Sequence, residues 1–320
     1  MAATAVLTGI GIFADDRLLD GVPVWSKPFK FAVSFIAYCP TLAWMLSLLP
    51  RGRRVGWWAG TVVAVTCAVE MAIITGQAAR GRHSHYNRTT PLDAALFDAM
   101  AVTVVILWLA ALVIAVLLLR ARILDRAQAW AVRIGSLLAL AGAAIGFVMT
   151  QATSEQVAAG GRDGSPYVGA HSVGVPDGGP GMAVTGWSTT GGDLRIAHFF
   201  GMHALQILPL LLLVLAALAP RFARLGDPRV RLRLVLVGSG AYAAVFALLT
   251  WQALRGQPLL RPDAVTLLAG GAALVLTVGA AAWAVRAAPR GSGAGTGSVS
   301  SSAAVSASAS TPTADKEYVA

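Results

Sequence analysis

Five histidines make up the imidazole complement of this 320-residue chain. Two of them, His198 and His203, fall in the run "GGDLRIAHFFGMHALQILPLLLLVLAALAP" (191–220), together with Asp193, Arg195 and Gln206. Two more, His83 and His85, stand as a His-x-His pair in "QAARGRHSHYNRTTPLD" (77–93). Imidazoles exchange protons near neutral pH and ligate metals. Glu70 is a carboxylate inside an otherwise apolar run. Such a group costs at least a few kcal/mol to insert, so it faces a partner or a cavity. These types and spacings nominate Glu70 and His203 as a proton-handling catalytic pair. They nominate His198, Gln206 and Gln77 as cofactor-binding groups, and His83, His85, His198 and His203 as metal ligands. The implied cofactor is a metal ion or a single haem. The alternative role for Glu70 and His203 is to be a protonated, packed carboxyl and a neutral imidazole bonded between helices.

The elements that must carry these residues are legible from composition. The chain is 56% hydrophobic and 12% charged, with mean hydropathy +0.68. Soluble domains carry about 25% charged residues. Runs of about 20 apolar residues read as membrane spans, and seven occur, at 29–49, 55–79, 92–119, 129–150, 194–219, 232–254 and 264–285. The expected fold is therefore all-α, a polytopic transmembrane bundle over 29–286. An extracytoplasmic N-terminal segment (1–28), interfacial or re-entrant, precedes it. A Gly-rich extracytoplasmic loop (151–193) interrupts it, as a lid or a solvated connector. A cytoplasmic tail (287–320) of Ser, Ala, Gly and Thr is expected to be disordered, because it cannot bury a core.

The net charge of +10 does not signal nucleic acid. The basic residues flank the apolar runs, where they act as topology signals. Loops one, three and five with the C-terminal end hold Arg51, Arg53, Arg54, Arg120, Arg122, Arg126, Arg133, Arg221, Arg224, Arg229, Arg231, Arg233, Arg286, Arg290 and Lys316, which is 15 of the 25 Lys and Arg. This excess puts the N-terminus outside and the C-terminus in the cytoplasm of a plasma (inner) membrane, with the lipid bilayer as partner. Lys27 and Lys30 open the first span at the interface, either as snorkelling side chains without function or as functional cations. Cys39 and Cys67 lie in spans with no metal-type spacing, and small apolar packing is their expected role. No P-loop, dinucleotide fingerprint or zinc-protease motif is present.

Depth follows from the 1.5 Å helical rise. Counted inward from Asp193, His198 lies about 7 Å and His203 about 15 Å deep; counted back from Arg80, Gln77 lies about 5 Å and Glu70 about 15 Å deep. Glu70 and His203 thus share a level. His198 and His203 are five apart, about 140° around the helix, so a site using both is wide or the helix is distorted.

The strings "WSKPFKFAVSF", "QAARGRHSHYN" and "GGDLRIAHFFGMHALQILP" resemble an uncharacterised family of bacterial polytopic membrane proteins. The resemblance covers most of 25–210. It implies a shared membrane fold and transfers no reaction. Seven-helix zinc hydrolases carry a histidine pair in the last span, which is absent here. "FFGMH" and "HSHYN" fit two strings of CAAX-type membrane proteases, but in reversed order and without the double-Glu motif. The leading expectation is an outward-opening His/Glu site in a metal- or haem-dependent membrane enzyme or redox protein. A proton-coupled transporter and a non-catalytic sensor or assembly factor are the alternatives.

Overall fold

A computed structural model describes residues 1–160 and 166–286. The expected disordered tail, 287–320, lies outside the described residues. Among the described residues the chain is an all-α bundle with seven helices long and apolar enough to cross a membrane. These are α2 (Ser26–Ser47), α3 (Arg53–Ala79), α4 (Pro91–Arg120), α5 (Arg126–Met149), α7 (Leu194–Leu218), α8 (Pro228–Leu254) and α9 (Ala264–Arg286). They coincide with the seven apolar runs to within a few residues. The small differences arise at caps, where polar residues join a helix that hydropathy alone does not assign to it. Thr90, Asp125, Asp193 and Asp227 each accept a backbone N–H at a helix start, and Pro91 and Pro228 follow two of them. Such caps satisfy donors that have no partner within the helix.

A shorter helix, α1 (Ala2–Ala14), packs along α2. Met1 reaches the core cluster that contains Leu42 and Met45. A two-residue hairpin pairs β1 (Leu18–Leu19) with β2 (Val22–Pro23). Its Asp20-Gly21 turn has positive φ at both positions, 52° and 73°, the conformation that matches strand twist in tight hairpins.

α3 packs against α2 and α4, whereas α7 packs against α5 and α8, and only briefly against α2. The α5–α7 contact is the most extensive. It depends on Gly142 and Gly201, whose backbones meet so closely that a Cβ on Gly142 would lie 2.6 Å from the carbonyl carbon of Gly201. Small residues permit such approach between apolar helices, where packing rather than water exclusion drives association.

The long loop carries the short helix α6 (Ser154–Ala158) and a strand β3 (Ser172–Val173), which pairs with β4 (Gly192–Asp193). Arg88 N donates to Pro166 O and Val168 N to Tyr86 O, so the loop is strapped to the α3–α4 connection.

Candidate functional site

All five histidines line one cleft of about 2080 Å³. Its wall comes from the starts of α2 and α7, the ends of α5 and α8, the β1–β2 turn and the α3–α4 connection, all at one end of the bundle. The long loop contributes residues from Thr153 to Ser188. It is mostly irregular in its described part, as its glycine content implies.

Each ring but one has a definite polar partner. His198 Nδ1 donates to Gly142 O at 2.8 Å, which leaves Nε2 as its free nitrogen. The close α5–α7 crossing is what brings that carbonyl within reach. Lys27 Nζ donates to His85 Nδ1 at 3.1 Å, and Ser84 Oγ lies 3.1 Å from the same atom. The proton of His85 is then on Nε2. His171 Nδ1 donates to Asp177 Oδ2 at 3.1 Å, and Asp177 also accepts from the backbone N of His171 and of Ser172, each at 2.8 Å. His83 Nε2 lies 3.5 Å from Asp20 Oδ1 and its ring meets Tyr167 edge-on. His203 lines the wall half-buried, with no polar partner among the described residues.

The aromatic rings bind this set together. Phe31 contacts His85 and Phe199, Phe199 contacts His198, and Tyr86 stands between His85 and His171. The lysines supply positive charge. Among the described residues no carboxylate lies within ion-pair distance of Lys27 or Lys30. Lys30 spends one N–H on Thr185 O at 3.2 Å. Arg195, by contrast, is closed by a two-pronged pair with Asp193 at 2.6 and 3.0 Å.

The other nominated residues lie elsewhere. Glu70 is 4% exposed and accepts from Thr103 Oγ1 of α4. The charge within its electrostatic reach is Lys27 of α2. Neither Glu70 nor Gln77 nor Gln206 belongs to the cleft wall. Gln77 Nε2 donates to Asp93 Oδ1 at 3.0 Å and to His83 O at 3.3 Å, so it holds the histidine loop in place. Gln206 Oε1 is buried without a hydrogen-bond partner among the described residues. Asp98 pairs with Arg88 at 2.7 Å.

His83, His85, His198 and His203 therefore share a cleft. Among the described residues, however, no three His, Cys, Asp or Glu side chains converge as a metal-ligand set. For haem iron the fitting group is His198, because an imidazole whose Nδ1 is held by a backbone carbonyl presents an oriented Nε2. Sequence reasoning did not single out His171, Asp177 or Tyr86. His171 was the one remaining imidazole, and that was the only signal for it.

Burial, and then the charge of Lys27, hold His85 well below the usual imidazole range. Burial also lowers His171, partly offset by Asp177. Burial opposes ionisation of Asp177, but the hydrogen bonds from His171 and Ser172 outweigh it and keep that carboxyl below the usual carboxylate range. A sign follows for stability. Both imidazoles bind protons more weakly folded than unfolded, so the unfolded chain takes up the extra protons once pH falls below about 6.5. Their contribution is intact above that value and is lost as pH drops toward the folded values. Asp177 contributes above the ordinary carboxylate range and loses its share only at lower pH. Thermal unfolding in neutral detergent should show a falling midpoint from about pH 7 to about pH 5. The double substitution His85→Gln, His171→Gln should flatten that slope. An unchanged slope in the double variant would show that the two imidazoles titrate alike in both states.

Comparison with known protein families, curated proteins and solved structures finds no match for this chain.

Proposed function

We propose that this chain is a multi-pass protein of the plasma (inner) membrane that binds an anionic ligand in an outward-opening cleft and exchanges protons with it. The observation that carries this reading is convergence: five imidazoles and the ammonium groups of Lys27 and Lys30 share one cleft wall. A cation in a site of reduced polarity calls for an opposite charge, and among the described residues no carboxylate side chain lies within ion-pair distance to provide it. A bound anion would supply that charge at the cleft wall itself. The excess of arginine in loops one, three and five supports an extracytoplasmic position for the cleft, with the N-terminus outside and the C-terminus in the cytoplasm.

The histidines suit proton exchange in complementary ways. His85 offers a hydrogen-bond donor at Nε2 and His198 offers a lone pair at Nε2, so the first can hold an anion in place and the second can accept a proton from it. Phe31, Phe199 and Tyr86 hold both rings in fixed orientations, which lowers the cost of aligning a bound ligand.

Inorganic phosphate is a sufficient probe. Purified in a neutral detergent, the protein should gain thermal stability as phosphate is added, since a ligand that binds only the folded state stabilises it. At 100 times the dissociation constant the gain is about 2.7 kcal/mol. Lys27→Met should remove most of that gain, and Lys27→Arg should keep it. If the parent protein shows no gain, or if Lys27→Met gains as much as the parent, the anion-binding reading is wrong.

A further inference from the structure

The cleft does not end at its charged mouth. Along α7 its wall runs from Arg195 through His198, Phe199 and His203 to Ile207. That is about 18 Å of helix at 1.5 Å per residue. Along α2 it runs from Lys27 and Lys30 to Phe31, Val33 and Ser34. Charge lies at one end of the wall and mainly apolar side chains at the other. Val33 and Ile207 line the cleft and yet remain 47% and 43% exposed. They sit on α2 and α7, two helices that touch only over a short stretch. The cleft is therefore open sideways between these helices, within segments apolar enough to face lipid. Its volume of about 2080 Å³ also exceeds the roughly 300–1,000 Å³ of ordinary small-molecule pockets.

We infer that the ligand of this cleft is an anionic lipid that enters from the bilayer between α2 and α7. Its head group rests on the ammonium groups of Lys27 and Lys30 beside His85 and His198. Its chain follows Phe199 and His203 down to Ile207 and Val33. The inference rests on the anion-binding reading above and adds the source of the anion. A soluble anion needs the charged mouth alone. A lipid also uses the lateral gap and the apolar floor, which are otherwise unexplained.

The test places the full chain in nanodiscs of phosphatidylcholine. A trace of lipid bearing a photoactivatable diazirine in its acyl chain is added, either as phosphatidylglycerol or as phosphatidylcholine. Illumination and peptide mapping then locate the labelled residues. Phosphatidylglycerol should label the Phe199–Ile207 and Val33 segments about tenfold more than phosphatidylcholine, a preference corresponding to about 1.4 kcal/mol. Lys27→Met with Lys30→Met should bring the two lipids to equal labelling, while Lys27→Arg with Lys30→Arg keeps the preference. Ile207→Trp, which fills the lateral gap without touching the charges, should reduce lipid labelling but leave stabilisation by inorganic phosphate intact. Equal labelling by both lipids in the parent protein would overturn the lipid inference, as would a preference insensitive to the lysines. If phosphate still stabilises in a lysine-dependent way in that case, the anion site stands and its occupant is soluble. If neither phosphate nor lipid responds to the lysines, both readings fall.

Discussion

Asp93→Ala should destabilise the protein more than any other single polar substitution near the cleft. The Asp93 side chain is 0% exposed, and it anchors a network at the start of α4. Arg80 Nη1 donates to its Oδ1 at 2.8 Å, and Gln77 Nε2 donates to the same oxygen. Thr90 and Thr89 hydroxyls donate to Oδ2 at 2.8 and 3.1 Å. Removing one partner of a buried pair costs roughly 3–5 kcal/mol, because the groups left behind lose both water and their acceptor. Arg80 is about a third exposed, so the lower end of that range is expected. The same change frees Gln77, which holds His83 O, and should therefore loosen the loop that carries His83 and His85. Thermal unfolding in detergent measures the first effect. Loss of the phosphate-dependent stabilisation measures the second. A destabilisation below about 1 kcal/mol would show that the network behaves as an exposed pair.

The second large effect concerns the partner of Glu70. Matched depth pairs this carboxylate with His203, whereas its surroundings contain Thr103 as hydrogen-bond donor and Lys27 as the charge within reach. Double-mutant cycles distinguish the two partners. Residues that share an interaction show coupling of about 0.5–3 kcal/mol, and independent ones add to within about 0.3–0.5 kcal/mol. Glu70→Gln with Lys27→Met should be coupled in stability and in phosphate binding. Glu70→Gln with His203→Ala should be additive, because α3 takes its packing from α2 and α4 while α7 takes its own from α5 and α8. Coupling of Glu70 to His203 in the upper range would restore the depth-matched pair and place both residues at one site.

By itself, the amino-acid sequence determined the seven long apolar helices of this protein. Each span is long enough and apolar enough to be read without its neighbours, since the preference of about 20 residues for lipid is a local property. The caps Thr90, Asp125 and Asp227 act just as locally, on the first turn of their own helix, but hydropathy alone does not mark them. Depth along a helix was assigned from the helical rise alone. Direction around each helix was not legible in the sequence. Whether Glu70 turns toward α4 or α7 depends on which helices are neighbours, and that depends on contacts such as Gly142 against Gly201, residues 59 positions apart in the chain. The same crossing delivers a backbone carbonyl to His198. The loop fold delivers His171, which no periodicity marks. Tertiary structure alone therefore decided that five scattered imidazoles line one cleft, because their meeting is a matter of helix azimuth and loop path, neither of which a span of hydropathy encodes.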